Sequence, residues 1–165
     1  MSVRTLLVPP PLIAGAVVIT GDEAHHGRSV LRLRPGDAVR LADGAGASAP
    51  GRVVVVDRDR LTVAVEAVAH VAPARATLLT VACAVPKGDR FGDLVRQLTE
   101  LGVGAIRPLV CERGERIPGN LDRAGRIAAE ALKQCRRDHL PVIGPAIDIP
   151  ALTGLGGRLI LLRYT

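Results

Sequence analysis

The stretch TLLTVACAVPKGDRFGDLVRQLTELGVGAIRPLV, residues 77–110, decides how the chain folds. Thr77–Val85 is a continuous apolar run, the pattern of a strand buried on both faces. Beyond Pro86-Lys87-Gly88-Asp89-Arg90, the residues Phe91, Leu94, Val95, Leu98 and Leu101 recur at helical spacing. Asp89 is placed to cap that helix and Gly102 to end it, with Glu100 outward and Leu101 in the core. Ala105–Val110 reads as the next strand. Strand, helix, strand is the grammar of a parallel α/β sheet.

The pattern continues downstream. Asn120 can cap a second helix, with Leu121, Ala124, Ala128, Ala131, Leu132 and Cys135 expected inward. Arg123, Arg126, Lys133, Arg136 and Arg137 take its other faces, and the basic last turn suits the helix dipole. Leu159–Leu162 is expected to be a further buried strand. A parallel strand normally feeds a covering crossover helix. None is expected after Leu162, so the sheet is expected to be completed by a partner or by a longer chain.

Upstream the grammar differs. Val17–Thr20 reads as a strand end, and Thr20-Gly21-Asp22-Glu23 has capping-box form, predicting a helix from Asp22 to Leu33. Pro35-Gly36-Asp37 is a turn, Ala38–Ala42 a strand and Asp43-Gly44 a hairpin-type turn. Arg52–Val56 and Leu61–Val68 are β-branched runs joined by a charged turn. Short strands with little helix predict a small β-barrel. Pro73-Ala74-Arg75-Ala76 is the expected joint. The chain is therefore expected to be α+β overall: a barrel over residues 1–73 and an incomplete α/β unit over residues 74–165.

Composition sets bounds. The 165 residues are 48% hydrophobic, enough for packed cores. No window of about 18 apolar residues exists, so no transmembrane helix is expected. With no signal-peptide pattern, a cytoplasmic location is expected. Cys83, Cys111 and Cys135 form no CxxC, which speaks against a zinc site and a disulfide framework. Phe91 and Tyr164 are the aromatic residues, too few for a base-stacking sheet. The net charge is +6, with +5 of it in residues 74–165, and such a surface attracts polyanions. Arg outnumbers Lys 20 to 2, so a bias of the genome is the competing explanation.

Three groups are candidates for RNA phosphate contact. His25, Arg28, Arg32 and Arg34 crowd one segment, with Arg28 and Arg32 expected on one helix face. A solvated face paired with Asp22 and Glu23 is the alternative. Lys87 and Arg90 sit between a strand's carboxyl end and a helix N-terminus, where open α/β sheets bind ligands. An ordinary turn is the alternative there. Arg136 and Arg137 end the second helix, either as phosphate contacts or as a plain basic terminus. No residue is assigned as a catalyst.

The ordered set of short strings carries a resemblance. It comprises His25-His26-Gly27-Arg28-Ser29-Val30-Leu31-Arg32, Pro35-Gly36-Asp37, Asp43-Gly44, Lys87-Gly88-Asp89-Arg90, Glu100-Leu101-Gly102-Val103, Pro108-Leu109, Glu112-Arg113, Gln134-Cys135-x-Arg137 and Pro141. In order and spacing, over nearly the whole chain, it resembles the small-subunit 16S ribosomal RNA uracil-N3 methyltransferase family, RsmE, of the knotted SPOUT class. The resemblance implies a PUA-like barrel that binds RNA and an α/β SPOUT-type methyltransferase domain. It also implies S-adenosylmethionine (SAM) as cofactor, 16S rRNA or the small ribosomal subunit as partner, and a homodimer. Departures are Gln97, Ala124 and Lys133, where the family often has Lys, Trp and Glu. The family's Gly-Pro-Glu-Gly-Gly loop and its Leu-Gly…Leu-Arg-x-Glu-Thr-Ala segment have no counterpart in residues 1–165. Those segments form the knot, so this stretch alone is expected to bind SAM weakly or not at all. The alternative function is a catalytically inactive RNA-binding module or fragment.

Overall fold

The computed structural model describes residues 3–86, 90–111, 121–155 and 160. The first unit is a six-stranded sheet. Its strands are β1 (Arg4–Leu7), β2 (Gly15–Thr20), β3 (Ala38–Ala42), β4 (Ala47–Val56), β5 (Arg60–Val65) and β6 (Ala69–His70). The order is β1-β3-β4-β5-β2, with β6 on β4. Alternate residues turn inward: Val39 and Leu41 on β3, Leu61, Val63 and Val65 on β5. With Leu6, Ile19 and Val53 they form one core, the interior of the barrel-type unit. β1 pairs in parallel with β3, Leu6 beside Leu41. No sequence pattern announced β1, because four residues before a Pro run carry little periodicity.

The predicted helix over residues 22–33 is shorter and of mixed type. α1 spans Gly21–His25, and a π-turn follows over His26–Val30. Thr20 makes no side-chain capping bond. The capping box fails because Glu23 has other partners: its Oε1 accepts the Leu7 N–H at 3.0 Å. Gly27 packs under Leu61 and Leu33, which holds the π-turn against the barrel core.

The second unit holds a four-stranded parallel sheet of β7 (Thr80–Ala84), β8 (Ala105–Val110), β9 (Val142–Ile143) and β10 (Ile147–Asp148). β8 is central, with β7 on one side and β9 and β10 following each other along it. α2 (Arg90–Leu101) and α3 (Leu121–Cys135) pack together over one face, around Phe91, Val95, Ile106, Ala124 and Ala128. α2 ends as expected at Gly102: Gly102 N–H donates to Thr99 O at 3.0 Å and Val103 N–H to Leu98 O at 3.1 Å.

Four expectations need correction here. The strand begins at Thr80, because Arg75–Leu78 form a 3₁₀ turn, and it is not buried on both faces. Leu78 is 81% exposed; β7 has one strand neighbour in the described sheet, and α2 and α3 cover a single face. Leu101 is 65% exposed, since the last helical turn leaves the core before Gly102. Cys135 is exposed rather than inward. Lys133 is buried, drawn in by two carboxylates. The capping roles of Asp89 and Asn120, the Glu112-Arg113 pair and, apart from the exposed Ile160, the Leu159–Leu162 strand lie outside the described residues.

The two units meet along α3 and the segment after it. α3 lies against β1. Ala45 bridges to His139, Gly46 N–H donates to Asp138 O at 2.9 Å, and Leu140 N–H donates to Gly44 O at 2.8 Å. Asp43-Gly44 is thus not a bare hairpin turn. Asp43 folds the loop by accepting from Ala45 N–H at 2.8 Å and Ala47 N–H at 3.0 Å. Gly46 has φ +109°, and a Cβ there would lie 2.8 Å from His139 Nε2, so glycine is required for the two segments to touch.

Candidate nucleic-acid interface

The cationic residues singled out in the first unit all sit on its surface. His25, Arg28, Arg32 and Arg34 are exposed. Arg28 and Arg32 do not share a helix face, because the π-turn stops at Val30 and Arg32 has φ +53°. They project instead from a compact turn that Asp37 ties: its Oδ2 accepts the Arg34 N–H at 2.8 Å. The row of arginines survives; its helical geometry does not.

In the second unit, Arg90 is exposed at the start of α2, and Lys87 lies outside the described residues. Arg136 and Arg137 diverge. Arg136 has φ +57° and lines the cleft between the units. Arg137 turns back, and its Nε donates to Glu100 O at 2.6 Å while the guanidinium crosses Gly102. That cation sits on an orphan carbonyl at the end of α2, a favourable place for positive charge. Arg137→Ala is therefore expected to destabilise the second unit by about 1 kcal/mol, read in urea unfolding. An unchanged midpoint would rule out the brace.

Two ion pairs that spacing could not reveal hold the units together. Lys133 Nζ lies 3.1 Å from Glu23 Oε2 and 2.6 Å from Glu130 Oε1. Burial favours the neutral amine, but the hydrogen bond to Glu130 and the charge of Glu23 outweigh it, so the ammonium is held above its ordinary pKa. Arg40 pairs with Asp138 across the same joint. These partners stand 110 and 98 positions apart in the chain, beyond any local pattern. Glu23 and Arg40 belong to the barrel, Lys133 and Asp138 to the α/β unit.

The cleft that results is shallow and open, walled by β1, the π-turn and α3. Arg4 and His26 line it from the barrel, and Glu130, Lys133, Gln134 and Arg136 from the other side. Of the barrel pair, Arg4 was not marked in the sequence as a site residue, whereas His26 belongs to the His25-His26 cluster. Among the described residues no cluster of His, Cys, Asp or Glu could hold a metal ion, and no helix is long and apolar enough to cross a membrane. Cys83 is half-buried on β7, and burial pushes its thiol pKa up. It is no activated nucleophile.

Comparison with known proteins agrees with this two-unit reading. A family model described as an RNA methyltransferase domain matches residues 73–155, and one described as an RNA methyltransferase PUA domain matches residues 19–66. The ribosomal RNA small subunit methyltransferase E of Synechocystis sp. is 32% identical over 145 residues, covering 87% of this chain and 47% of its own length. A crystal structure of that methyltransferase from Neisseria gonorrhoeae, bound to S-adenosyl methionine, superposes with a TM-score of 0.77 at 25% identity, over 89% of this chain and 62% of that one. A probable rRNA-methyltransferase from Porphyromonas gingivalis gives 0.78 at 28% identity, over 91% and 63%. The chain spans about half the length of the curated relatives it matches.

Proposed function

Since the chain belongs to the RNA methyltransferase family, whose model spans residues 73–155, we propose that it serves the SAM-dependent methylation of a uridine N3 in 16S rRNA. The observation that carries this reading is the pairing of an RNA methyltransferase domain with a PUA domain in one chain. Further support comes from the arginine row on the barrel, which lies next to a cleft that both units build. On this reading the two units divide near residues 73–74, and the small ribosomal subunit in the cytoplasm is the partner. A homodimer is the working assembly.

The chain's own residues bind and orient the RNA. His25, Arg28, Arg32 and Arg34 on the barrel, and Lys87, Arg90, Arg136 and Arg137 on the α/β unit, contact phosphates. Arg137 does so with the donors left over from Glu100. Phosphate contacts set register, and register brings the base to the methyl donor. The N3 atom carries a proton at neutral pH, so the site must also favour its loss.

SAM supplies the methyl group in this chemistry. Among the described residues, the carboxyl ends of β7, β8 and β10 present Val85, Val110 and Ile149. The carboxylate there, Asp148, accepts the Ala151 N–H at 2.9 Å. These residues do not make a cradle for adenosine and a sulfonium; the segments after β7 and β8 lie outside the described residues.

A salt series on 16S rRNA tests the reading. Each of Arg28→Ala, Arg32→Ala and Arg136→Ala is expected to flatten the log–log salt dependence by about one unit. Unchanged slopes in all three overturn the assignment. Transfer of a labelled methyl group to small subunits, with the modified position read by primer extension, separates an enzyme from an RNA-binding module.

A further inference from the structure

We propose that the face of the parallel sheet turned away from α2 and α3 docks an apolar helix of a partner protein, one that brings a single carboxylate onto Arg107. The inference goes beyond the RNA-binding reading and does not depend on it.

Alternation along the strands defines the face. Val81, Cys83, Ile106 and Ile143 pack into the core under the helices. Their neighbours in sequence therefore point the other way. Arg107 stands at the centre of that second face, level with Ala82 on β7. Its guanidinium lies across Gly144, where any Cβ would collide with it. Ala105, Leu109 and the 62% exposed Val142 complete the surround, which is small and apolar. Parallel sheets are normally covered on both faces, and here the described helices cover one. The dimensions suit a single helix. Three strands at about 4.8 Å spacing span about 10 Å, the width of a helix, and six residues of β8 run about 20 Å, the length of about 13 helical residues. Charge then selects the occupant. Arg107 makes no hydrogen bond or ion pair among the described residues, and its Nε is buried without a partner. The residue as a whole is only partly buried, so its Nη nitrogens stay within reach. A cation half-sunk among apolar groups is unfavourable until an anion meets it. A second copy related by a two-fold axis would set Arg107 against Arg107, so charge disfavours self-pairing. A phosphodiester would lose its water to the alanines and Leu109 with one donor group in return. A carboxylate on an apolar helix satisfies the guanidinium and covers its surround together.

The test uses the whole chain, isotope-labelled for NMR, and two helical peptides of identical alanine- and leucine-rich composition. One carries its single Glu at the centre of the apolar face, the other on the opposite face. The first is expected to bind about 10-fold tighter and to shift the Arg107 Nε–H together with Ala82, Ala105 and Val142. Arg107→Met is expected to abolish that preference and to raise the melting temperature of the free chain, because it removes an unpaired charge. Equal binding of the two peptides, or a preference that survives in Arg107→Met, overturns the inference. So does an Arg107→Met protein that melts lower, which shows the guanidinium satisfied within the fold. A concentration-dependent dimer that buries Ala82 and Val142 assigns the face to a second copy. Shifts of the Arg107 Nε–H with a uridine-rich RNA, and none with either peptide, assign it to RNA; each of these results also overturns the proposal. None of them touches the arginine row on the barrel, so the RNA-binding reading stands or falls separately.

Discussion

Gly104→Ala is expected to unfold the second unit while leaving the barrel intact. A Cβ at this position would stand 1.8 Å from the Thr77 carbonyl oxygen and 2.6 Å from its carbon. The obstacle is backbone, so no rotamer change relieves it. The approach is fixed from both sides, because Gly104 N–H and Ala105 N–H each donate to Leu79 O at 3.1 Å. Moving the strands apart would break these bonds and the register of Thr80 with Ala105. Overpacking costs about 1–3 kcal/mol where side chains can shift, so at least about 3 kcal/mol is expected here. Amide exchange is the measurement. β7 and β8 should lose protection, while Val39, Leu41, Val53 and Val63 keep theirs. Full protection of β8 in the variant would mean that the close approach is not obligatory.

Lys133→Met is expected to cost about 2 kcal/mol and to loosen the joint between the units. Removing one partner of a buried pair costs about 3–5 kcal/mol. The figure is discounted because Glu130 is largely exposed and Glu23 keeps the Leu7 N–H. Lys133 itself is only 7% exposed, so the loss remains substantial. Adding Glu23→Gln should recover part of it, giving a coupling of about 1 kcal/mol in a double-mutant cycle. The pH dependence follows from the raised Lys133 ammonium. A folded-state pKa above the ordinary 10.5 makes the contribution complete below 10.5. The contribution then disappears as pH climbs through the raised value. Wild type should thus lose stability relative to Lys133→Met in strongly alkaline urea melts; parallel curves would show that the pair contributes nothing.

Much of the second unit was legible because its signals are local. The helical spacing from Phe91 to Leu98, the glycine stop at Gly102 and the apolar run of β8 each lie within a few turns of chain. The errors cluster at helix ends and where the local pattern met a distant partner. Leu101 and Cys135 continue an apolar stripe, yet each falls at a helix end that the core does not reach. Lys133 breaks the stripe and is nevertheless buried, because Glu23 approaches it from the other unit. The same carboxylate was expected in a capping box; a tertiary hydrogen bond and an ion pair displaced that local role.

The candidate site divides in the same way. Its arginine row is a local run, so His25, Arg28, Arg32 and Arg34 could be marked from sequence, although the π-turn changed how they are displayed. Arg136 and Arg137 are neighbours that sequence cannot tell apart. A positive φ at the first and a carbonyl within reach of the second send them to different tasks. Arg4, Thr5 and His26 meet Gln134 only because α3 docks on β1, and nothing in their spacing encodes that meeting. Periodicity, turn residues and charge determined the two units and the sign of their surface, since these act over a few residues of chain. Tertiary structure alone decided which charges were paired at the joint, since a buried charge takes whichever partner the fold brings close, however far away in sequence.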